Sequence, residues 1–207
     1  VIEGNIGAGK TSLSTMIARD HNARLILEQF ADNPFLPKFY EDPARYSFPL
    51  ELSFLAERFQ QLKDNLPSQE LFTGFTLSDY LFGKCLVFSG ITLKEDEYGL
   101  YTKIFGIMNS FLPKPDLLVY LYNHPDNLTE SIRKRGRPYE QKISREYLEN
   151  VQKSYLEYFR QQVNQRTLIL DVSALNFVNN TDDYQKIVSA IDRDYPMGIT
   201  RIIPEAP

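Results

Sequence analysis

The sequence contains few of the residues on which disulfides and metal centres depend. It has one cysteine, Cys85, and two histidines, His21 and His124, among 207 residues. One cysteine excludes a disulfide within the chain, and these counts also exclude a cysteine-based zinc site and a histidine-rich metal site. A chain of this length can bury a core without such crosslinks. A lone cysteine fits a reducing compartment, so a cytoplasmic location is expected.

Neither an excess of positive charge nor a long hydrophobic run is present. Lys and Arg total 23 against 27 Asp and Glu, which gives a net charge of −4 and argues against a nucleic-acid partner bound by bulk charge. No apolar stretch approaches the ~20 residues that cross a bilayer, and no signal peptide is visible, so no membrane partner is expected. The first residue is Val1 rather than Met. We therefore expect the native start to lie upstream of residue 1.

Short apolar runs alternate along the chain with longer stretches of helical periodicity. The apolar runs predict five buried strands: Val1–Ile2, Leu25–Leu27, Phe75–Leu77, Leu117–Tyr122 and Leu168–Val172. The longer stretches predict seven helices: Gly9–Asp20, Ala44–Leu66, Phe82–Gly90, Tyr98–Leu112, Asn127–Arg135, Ser144–Gln165 and Thr181–Asp194. This alternation predicts an α/β fold, with a doubly wound five-stranded parallel sheet flanked by helices, in a single domain over residues 1–207. Residues 196–207 are expected to be a tail, either a docking strand or a disordered end.

A phosphate-binding motif follows the first predicted strand. The motif has the form G-x-x-x-x-G-K-[ST] and consists of Gly4, Asn5, Ile6, Gly7, Ala8, Gly9, Lys10 and Thr11, with Ser12 adjoining it. Its glycines allow backbone N–H groups to turn toward a phosphate, and the following helix presents its positive end. Lys10 can reach the β- and γ-phosphates, and Thr11 can offer its hydroxyl to Mg²⁺. The motif predicts binding of ATP or GTP but leaves the phosphate acceptor open.

A carboxylate, Glu28, follows the second predicted strand and is expected beside the phosphate loop. Transfer of a phosphate to a hydroxyl requires an acceptor for the hydroxyl proton, and Glu28 is a candidate for that role. The alternative is a solvated or helix-capping glutamate, and position alone does not separate the two.

Three further segments accompany the phosphate loop and Glu28. They read F-Y-E-D-P-A-R-Y-S-F-P over residues 39–49, R-G-R-P-Y-E over residues 135–140, and Y-L at residues 147–148. In this order, as far as about Tyr184, they resemble the deoxynucleoside kinase family, and most of all its bacterial deoxyadenosine/deoxyguanosine kinase branch. The resemblance implies a P-loop kinase fold with an Arg-rich lid, and a homodimer. It also implies Mg²⁺-dependent transfer of the ATP γ-phosphate to the 5′-hydroxyl of a deoxynucleoside, in deoxynucleotide salvage.

The resemblance also assigns roles around the acceptor. Glu28 matches the general base for the 5′-hydroxyl, while Tyr40 in F-Y-x-D-P and Glu140 in R-G-R-x-x-E match the residues that hold the sugar 3′-hydroxyl. A phenol and a carboxylate together can donate to and accept from one hydroxyl. Taken alone, Tyr40 reads more readily as a packed surface tyrosine and Glu140 as a solvated charge.

The lid and the adenine loop are assigned in the same way. Arg133, Arg135 and Arg137 match the lid, where positive charge stabilises the transferring phosphate. The spacing of four predicts that Arg133 and Arg137 share a helical face from which Arg135 points away. A solvated basic patch, or a nucleic-acid contact, is the alternative. Asn176 and Phe177, after the last strand, match the loop that frames the adenine of ATP, although an ordinary loop is an equal alternative.

The sequence departs from the family pattern after the third predicted strand. Many members carry Asp/Glu-Arg-Ser there, whereas this chain has T-L-S-D-Y over residues 76–80 and lacks the arginine. We predict that Asp79 assists Mg²⁺ alongside Thr11, the alternative being a helix N-cap. Lys84 is a candidate for the missing positive charge.

The nucleobase site departs as well, because Glu51 stands where many members have a glutamine. Arg58 lies seven residues later, on the same helical face. Glu51 only accepts hydrogen bonds when it is ionised, and Arg58 only donates them. The pair suits adenine or cytosine, guanine could present its N1–H and amino group to Glu51, and thymine is least suited. An exposed charge pair is the alternative.

Three phenylalanines, Phe54, Phe82 and Phe88, are candidates to stack on the base. We predict a deoxynucleoside kinase that favours a purine. One alternative is a nucleoside monophosphate kinase resembling thymidylate kinase, which would need a basic site for the acceptor phosphate. Another is a regulatory P-loop NTPase that hydrolyses ATP slowly without an acceptor. Acidic and aromatic residues between Glu28 and Arg58 favour a small-molecule pocket over both. The helices Ala44–Leu66 and Tyr98–Leu112 are candidates for the dimer interface.

Overall fold

Six strands form the sheets of the computed structural model, which describes residues 1–29, 33–66 and 73–205. The strands are β1 Ile2–Gly4, β2 Arg24–Ile26, β3 Thr76–Ser78, β4 Leu118–Tyr122, β5 Arg166–Asp171 and β6 Gly198–Ile202. Four of them pair in the order β1-β4-β5-β6, and β2 pairs with β3. Every one of these pairs is parallel. The parallel α/β architecture is therefore confirmed. It has six strands instead of the five predicted, and they form a four-stranded and a two-stranded sheet instead of one.

Eight α-helices connect or flank the strands within the described residues. They are α1 Lys10–Asp20, α2 Leu36–Glu41, α3 Pro43–Asn65, α4 Lys84–Thr92, α5 Glu95–Asn109, α6 Pro125–Arg135, α7 Arg145–Gln161 and α8 Thr181–Ile191. A 3₁₀ helix, Pro138–Glu140, follows α6. Side-chain caps explain several starts: Asp42 accepts from the Arg45 N–H at α3, and Ser144 accepts from the Tyr147 N–H at α7.

The sixth strand, β6, lies in residues 196–207, for which the sequence left a docking strand and a disordered end as alternatives, and the structure has the strand. It pairs with β5 in the register Arg166 to Gly198. Along β6, half-buried and exposed residues alternate, and Ile199 and Arg201 are exposed. An edge strand of this kind lacks the continuous apolar run that indicated the buried strands. Helix α2 was not predicted. Helix α5 begins three residues before the predicted start at Tyr98, and near its first residue Glu97 accepts from the Lys94 N–H.

The two faces of the sheet carry different parts of the core. Val119 and Leu121 of β4 pack in a cluster with residues of α1, α6 and α8. Their neighbours Leu118 and Tyr120 point the other way, into a cluster with residues of α4 and α7. Successive strand residues face opposite sides, so helices on both faces bury both sets. A third cluster joins α3, α4 and α5. Among the described helices, none has both the length and the apolar character needed to cross a membrane.

Candidate active site

A cavity of about 170 Å³ lies where β1, β2 and β3 end, which is the edge where parallel sheets bind ligands. Most of the predicted site residues line it: Ile6, Lys10, Thr11, Glu28, Tyr40, Glu51, Phe54, Arg58, Asp79, Phe88, Arg135, Arg137 and Glu140. The structure thus brings together side chains that are up to 134 positions apart, from Ile6 to Glu140. The phosphate loop, the candidate general base Glu28, and the residues predicted to contact the sugar and the nucleobase therefore line the same cavity.

The phosphate loop occupies the turn between β1 and α1. Gly9 has a φ of 87°, in the left-handed region that favours glycine, and a Cβ there would lie 2.7 Å from the Phe177 ring. Phe177 is therefore packed against the loop. Asn5 accepts from the Ile6 N–H at 2.8 Å and donates to the Leu148 carbonyl at 2.7 Å. These contacts fix the loop against α7 and against the segment that follows β5.

The ammonium of Lys10 lies within this loop. Its Nζ donates to the carbonyl oxygens of Gly4 at 2.9 Å and Asn5 at 3.0 Å. Burial, together with the nearby Lys84 ammonium, lowers the pKa of Lys10 to about 8. A bound polyphosphate would supply the negative charge that keeps this ammonium protonated.

Asp79 joins the phosphate loop to the end of β2. Its Oδ2 accepts from the Thr11 hydroxyl at 2.6 Å, and its Oδ1 accepts from the Glu28 N–H at 2.7 Å. The alternative that Asp79 caps a helix is wrong, because α4 begins only at Lys84. A carboxylate and a hydroxyl oxygen therefore stand side by side next to the phosphate loop.

Glu28 lies between two cations, with 10% of its side chain exposed. Lys84 donates to its Oε2 at 2.7 Å, and Arg58 donates to its Oε1 through Nε at 2.9 Å and Nη2 at 2.8 Å. Burial acts to raise the pKa of Glu28, but the charges of Lys84 and Arg58 outweigh it and lower that pKa to about 2. The candidate base is consequently ionised across the physiological pH range. Lys84 was predicted only as a replacement for the missing arginine, and the structure shows that it is a direct partner of Glu28.

Glu51 and Arg58 do not form the pair that their spacing suggested. Arg58 is directed at Glu28 and, through Nη1, at the Cys85 sulfur at 3.3 Å, whereas Glu51 accepts from the Thr92 hydroxyl at 3.0 Å. Both are buried, with 4% of Glu51 and 6% of Arg58 exposed, so the alternative of an exposed charge pair is wrong. Helical spacing placed both on the cavity side but did not determine their partners.

The residues matched to the sugar site lie together. Glu140 is buried and accepts from Arg135 Nε at 3.0 Å and from Arg137 Nη1 at 3.2 Å. The Tyr40 ring stacks on Tyr139 at 6.0 Å between centroids. Burial, with the Glu140 carboxylate as a second cause, raises the pKa of Tyr40 to about 12. The phenol thus remains a donor at any physiological pH.

The predicted geometry of the lid arginines is wrong. Helix α6 ends at Arg135, because Gly136 takes a left-handed φ of 71°. Arg137 therefore lies beyond the helix, and it converges with Arg135 on Glu140 instead of sharing a face with Arg133. Arg133 is exposed and does not line the cavity.

The three phenylalanines proposed to stack on the base separate into two groups. Phe54 and Phe88 line the cavity, where the Arg58 guanidinium lies 4.7 Å from the Phe54 ring and the Lys84 ammonium 5.5 Å from the Phe88 ring. The prediction for Phe82 is wrong. Its ring is buried and stacks on Phe105 at 4.9 Å, within the cluster of α3, α4 and α5.

Two predicted ATP-binding side chains, Ser12 and Asn176, are exposed outside this cavity. Asn176 lies in the loop after β5, where its N–H donates to Asp183 Oδ2 at 2.9 Å. Six further residues line the cavity and were not predicted as site residues: Leu36, Phe39, Leu50, Thr92, Tyr139 and Tyr147. Phe39, Tyr139 and Tyr147 belong to the segments quoted above, which is the one signal that pointed to them. Leu36, Leu50 and Thr92 belong to no motif in the sequence that would have indicated a role in the site.

Known proteins resemble this chain over most of its length. The family model "Deoxynucleoside kinase" matches residues 1–195. Deoxyguanosine kinase of Bacillus subtilis (strain 168) is 34% identical over 92% of this chain and 94% of its own. Deoxyadenosine kinase of Dictyostelium discoideum is 31% identical over 94% of this chain and 78% of its own. A structure of M. mycoides deoxyadenosine kinase with bound dATP superposes with a TM-score of 0.77 at 22% identity, over 93% of this chain and 97% of that one. The chain, with its phosphate loop and Glu28 in one cavity, belongs to the deoxynucleoside kinase family.

Proposed function

We propose that this protein transfers the γ-phosphate of ATP to the 5′-hydroxyl of a purine deoxynucleoside, giving ADP and the 5′-monophosphate. One observation carries the proposal: an ionised carboxylate, Glu28, shares a cavity with the phosphate-loop residues Lys10 and Thr11. The relatives support the purine, because those described above are a deoxyguanosine kinase and a deoxyadenosine kinase. Transfer within the cytoplasm, in salvage of deoxynucleosides, is part of the same proposal.

The step balances with Glu28 as proton acceptor. The 5′-oxygen forms a bond to the γ-phosphorus, the bond from that phosphorus to the ADP oxygen breaks, and the hydroxyl proton passes to Glu28. A carboxylate whose pKa is about 2 is a weak base. In a loose transition state the attacking hydroxyl gains acidity only late, so orientation of the hydroxyl matters more than basicity. Lys84 and Arg58 hold the carboxylate in one orientation for this purpose.

Cations around the cavity match the charge of the transferring group. Lys10 comes from the phosphate loop, and Arg135 and Arg137 come from the end of α6 and the segment after it. Positive groups fixed before the reaction stabilise the developing charge without reorganisation. We propose that Lys10 acts on the phosphates from its position in this structure. Arg135 and Arg137, which here pair with Glu140, and the exposed Arg133 would do so when the lid moves.

Thr11 and Asp79 are fitting residues for Mg²⁺. Mg²⁺ prefers oxygen ligands and is usually held by one or two protein oxygens together with phosphates and water. The Thr11 hydroxyl and the Asp79 carboxylate are adjacent oxygens at the phosphate loop. No group of three or more His, Cys, Asp or Glu side chains with metal-site geometry occurs in the described part of the chain, in keeping with a metal carried by the nucleotide. When bound, Mg²⁺ would neutralise charge on the β- and γ-phosphates.

An Asp79→Asn variant tests this assignment. We expect the Mg²⁺ concentration for half-maximal activity to rise at least about tenfold and kcat to fall about 10- to 100-fold, because a charged ligand becomes neutral. Asp194→Asn, at an exposed position, is the matched control. Activity would be titrated with Mg²⁺ at fixed ATP. Near-normal turnover of Asp79→Asn at every Mg²⁺ concentration would contradict the metal role.

The proposed sugar site supplies a test of the acceptor. Tyr40 and Glu140 suit a 3′-hydroxyl, which can both accept and donate. The 2′,3′-dideoxy form of an accepted nucleoside would leave them unpaired, and we expect its kcat/KM to fall at least about 100-fold. The product from the normal substrate should carry the phosphate at the 5′ position. Phosphate at the 3′ position, or equal rates with the dideoxy form, would overturn the proposed site.

Both alternatives fit the cavity less well. A nucleoside monophosphate kinase needs cations that face the acceptor phosphate beside the base. Here the cations next to Glu28, Arg58 and Lys84, are engaged by that carboxylate. A regulatory NTPase needs neither an aromatic pocket nor a carboxylate and a phenol, such as Glu140 and Tyr40, that line the same cavity.

We also propose a homodimer through helix α5. Leu100, Ile107 and Phe111 are 51%, 66% and 71% exposed, and they lie at helical spacing along α5 and just beyond it. Burial of such an apolar stripe against a second copy would be favourable. We expect a mass near twice the 24.0 kDa of the chain by light scattering, and Ile107→Asp to shift the mass toward that of one chain. A single-chain mass for the unaltered protein would refute this interface.

A further inference from the structure

Glu51 is a buried carboxylate with one oxygen that has no partner. It lies on α3, is 4% exposed, and lines the cavity. Its Oε1 accepts from the Thr92 hydroxyl at 3.0 Å, whereas its Oε2 makes no hydrogen bond within the described part of the chain. Buried polar atoms are nearly always paired, so an unpaired carboxylate oxygen on a side chain that lines the cavity marks a position for a hydrogen-bond donor of a ligand.

The groups that face Glu51 do not satisfy this oxygen. Arg58 from α3 and Lys84 from α4 are directed at Glu28, and Cys85 contacts Arg58. The Tyr101 hydroxyl of α5 donates to the Glu51 backbone carbonyl at 3.3 Å. Burial, with the Glu51 carboxylate as a second cause, raises the pKa of Tyr147 of α7. Helices α3, α4, α5 and α7 thus each bring a charged or titratable group near Glu51, but none of the described residues donates to Oε2.

We propose that Glu51 distinguishes the two purines, taking guanine when its carboxyl is ionised and adenine when that carboxyl carries a proton. The inference rests on the proposed function and deepens it, since it names the base and the residue that reads it. The family assignment alone leaves the base open, because relatives act on either purine.

The chemistry follows from the hydrogen-bonding edges of the bases. Guanine presents two adjacent donors, N1–H and the 2-amino group, and an ionised carboxylate only accepts. Adenine presents a donor, the 6-amino group, beside an acceptor, N1. An ionised Glu51 facing adenine would set two lone pairs against each other, and a protonated Glu51 would remove that conflict. Arg58, which only donates, suits the guanine O6 and not the adenine amino group.

The charge state of Glu51 is adjustable near neutrality. Burial raises the pKa of Glu51 to about 7, and the charges of Arg58 and Lys84 offset burial only in part. Below that pKa the protonated form dominates, and above it the ionised form. The kcat/KM for deoxyguanosine should therefore rise with pH through this region, while that for deoxyadenosine should fall.

The test compares kcat/KM for the two deoxynucleosides from about pH 6 to 8.5, in the unaltered protein and in Glu51→Gln. In the unaltered protein, we expect the deoxyguanosine-to-deoxyadenosine ratio to rise several-fold across this range. A glutamine both accepts and donates at every pH, so Glu51→Gln should lower the ratio about 10- to 100-fold and make it independent of pH. Because the same substrates are used, this variant also controls for titration of ATP or of the bases.

A second variant guards against misfolding of the first. Thr92→Val removes the hydrogen bond that favours ionised Glu51, so the pH at which the ratio changes should move upward. Direct binding of each deoxynucleoside, without ATP, should show the same pH dependence. An unchanged ratio in Glu51→Gln, or a pH-independent ratio in the unaltered protein, would overturn the inference and leave the kinase intact. Failure of the proposed function would look different, since neither deoxynucleoside would be phosphorylated at any pH.

Discussion

Glu28→Gln is expected to lower kcat about 10²- to 10⁴-fold, the usual contribution of a positioned proton acceptor. Glutamine keeps the size of the side chain, but it cannot take the proton of the 5′-hydroxyl. It also leaves Lys84 and Arg58 without their shared carboxylate, which was held at 2.7 to 2.9 Å. The KM for ATP should change much less, because the phosphate loop is held by separate contacts of Asn5 and Lys10.

Loss of a partner for two buried cations also costs stability. Breaking a buried ion pair from one side costs about 3–5 kcal/mol, so kcat must be measured well below the melting temperature of the variant. Glu149→Gln, which loses an exposed pair with Arg145, is the matched control and should keep its activity. A kcat for Glu28→Gln within about threefold of the unaltered protein would refute Glu28 as the base.

Lys84→Met is expected to have the second large effect, with a fall in kcat of about 10²- to 10³-fold and a new acidic limb in the pH profile. Lys84 is the main cation that lowers the pKa of Glu28, ahead of Arg58. Without it, burial is opposed mainly by Arg58, and the pKa of Glu28 rises. Because the ionised form is active, kcat should then fall as pH is lowered through this higher pKa, whereas Glu28 sets no such limit in the unaltered protein above about pH 3.

The pH profile separates this role from a merely structural one. Lys63→Met removes an exposed ammonium of α3 and should change neither kcat nor the profile. A Lys84→Met enzyme whose rate is reduced equally at every pH would show that Lys84 stabilises the fold or the phosphates without setting the ionisation of Glu28.

The motifs that depend on backbone geometry were predictable from sequence. The phosphate loop follows from its glycines, and Glu28 and Asp79 follow from the rule that strand ends face one edge of the sheet. The structure brings Lys10, Glu28 and Asp79 to that edge. The order of the segments around Tyr40 and Glu140 predicted that these two side chains share a site, and both line the same cavity.

The parts that were wrong depend on partners which a sequence does not display. The prediction that Arg133 and Arg137 share a helical face required the helix to continue to residue 137, but Gly136 ends it. Glu51 and Arg58 were predicted to contact the nucleobase together, and both line the cavity, but the partner of Arg58 was not foreseen: Glu28, 30 positions before it, accepts from the guanidinium. Competing partners from other elements decide such contacts, and spacing within one helix carries no information about them.

For a related reason, the sequence did not decide between a strand and a disordered end at β6, and the role predicted for Phe82 was wrong. An edge strand is half exposed, so its composition resembles that of a loop. The sequence also shows no difference between a phenylalanine that packs in the core and one that lines a pocket. In both cases the deciding quantity is what lies against the side chain, and that is fixed by the assembled fold.

Release of ADP shows whether this protein phosphorylates purine deoxynucleosides at the expense of ATP. The assay would run Mg-ATP with each of the four deoxynucleosides, with the four monophosphates, and with no acceptor. We expect fast release with deoxyguanosine or deoxyadenosine and little with the other acceptors or without one. Release only with a monophosphate would identify a nucleotide kinase instead. Equal release with and without an acceptor would contradict the account, because Glu28, Tyr40 and Glu140 would then have no acceptor to bind.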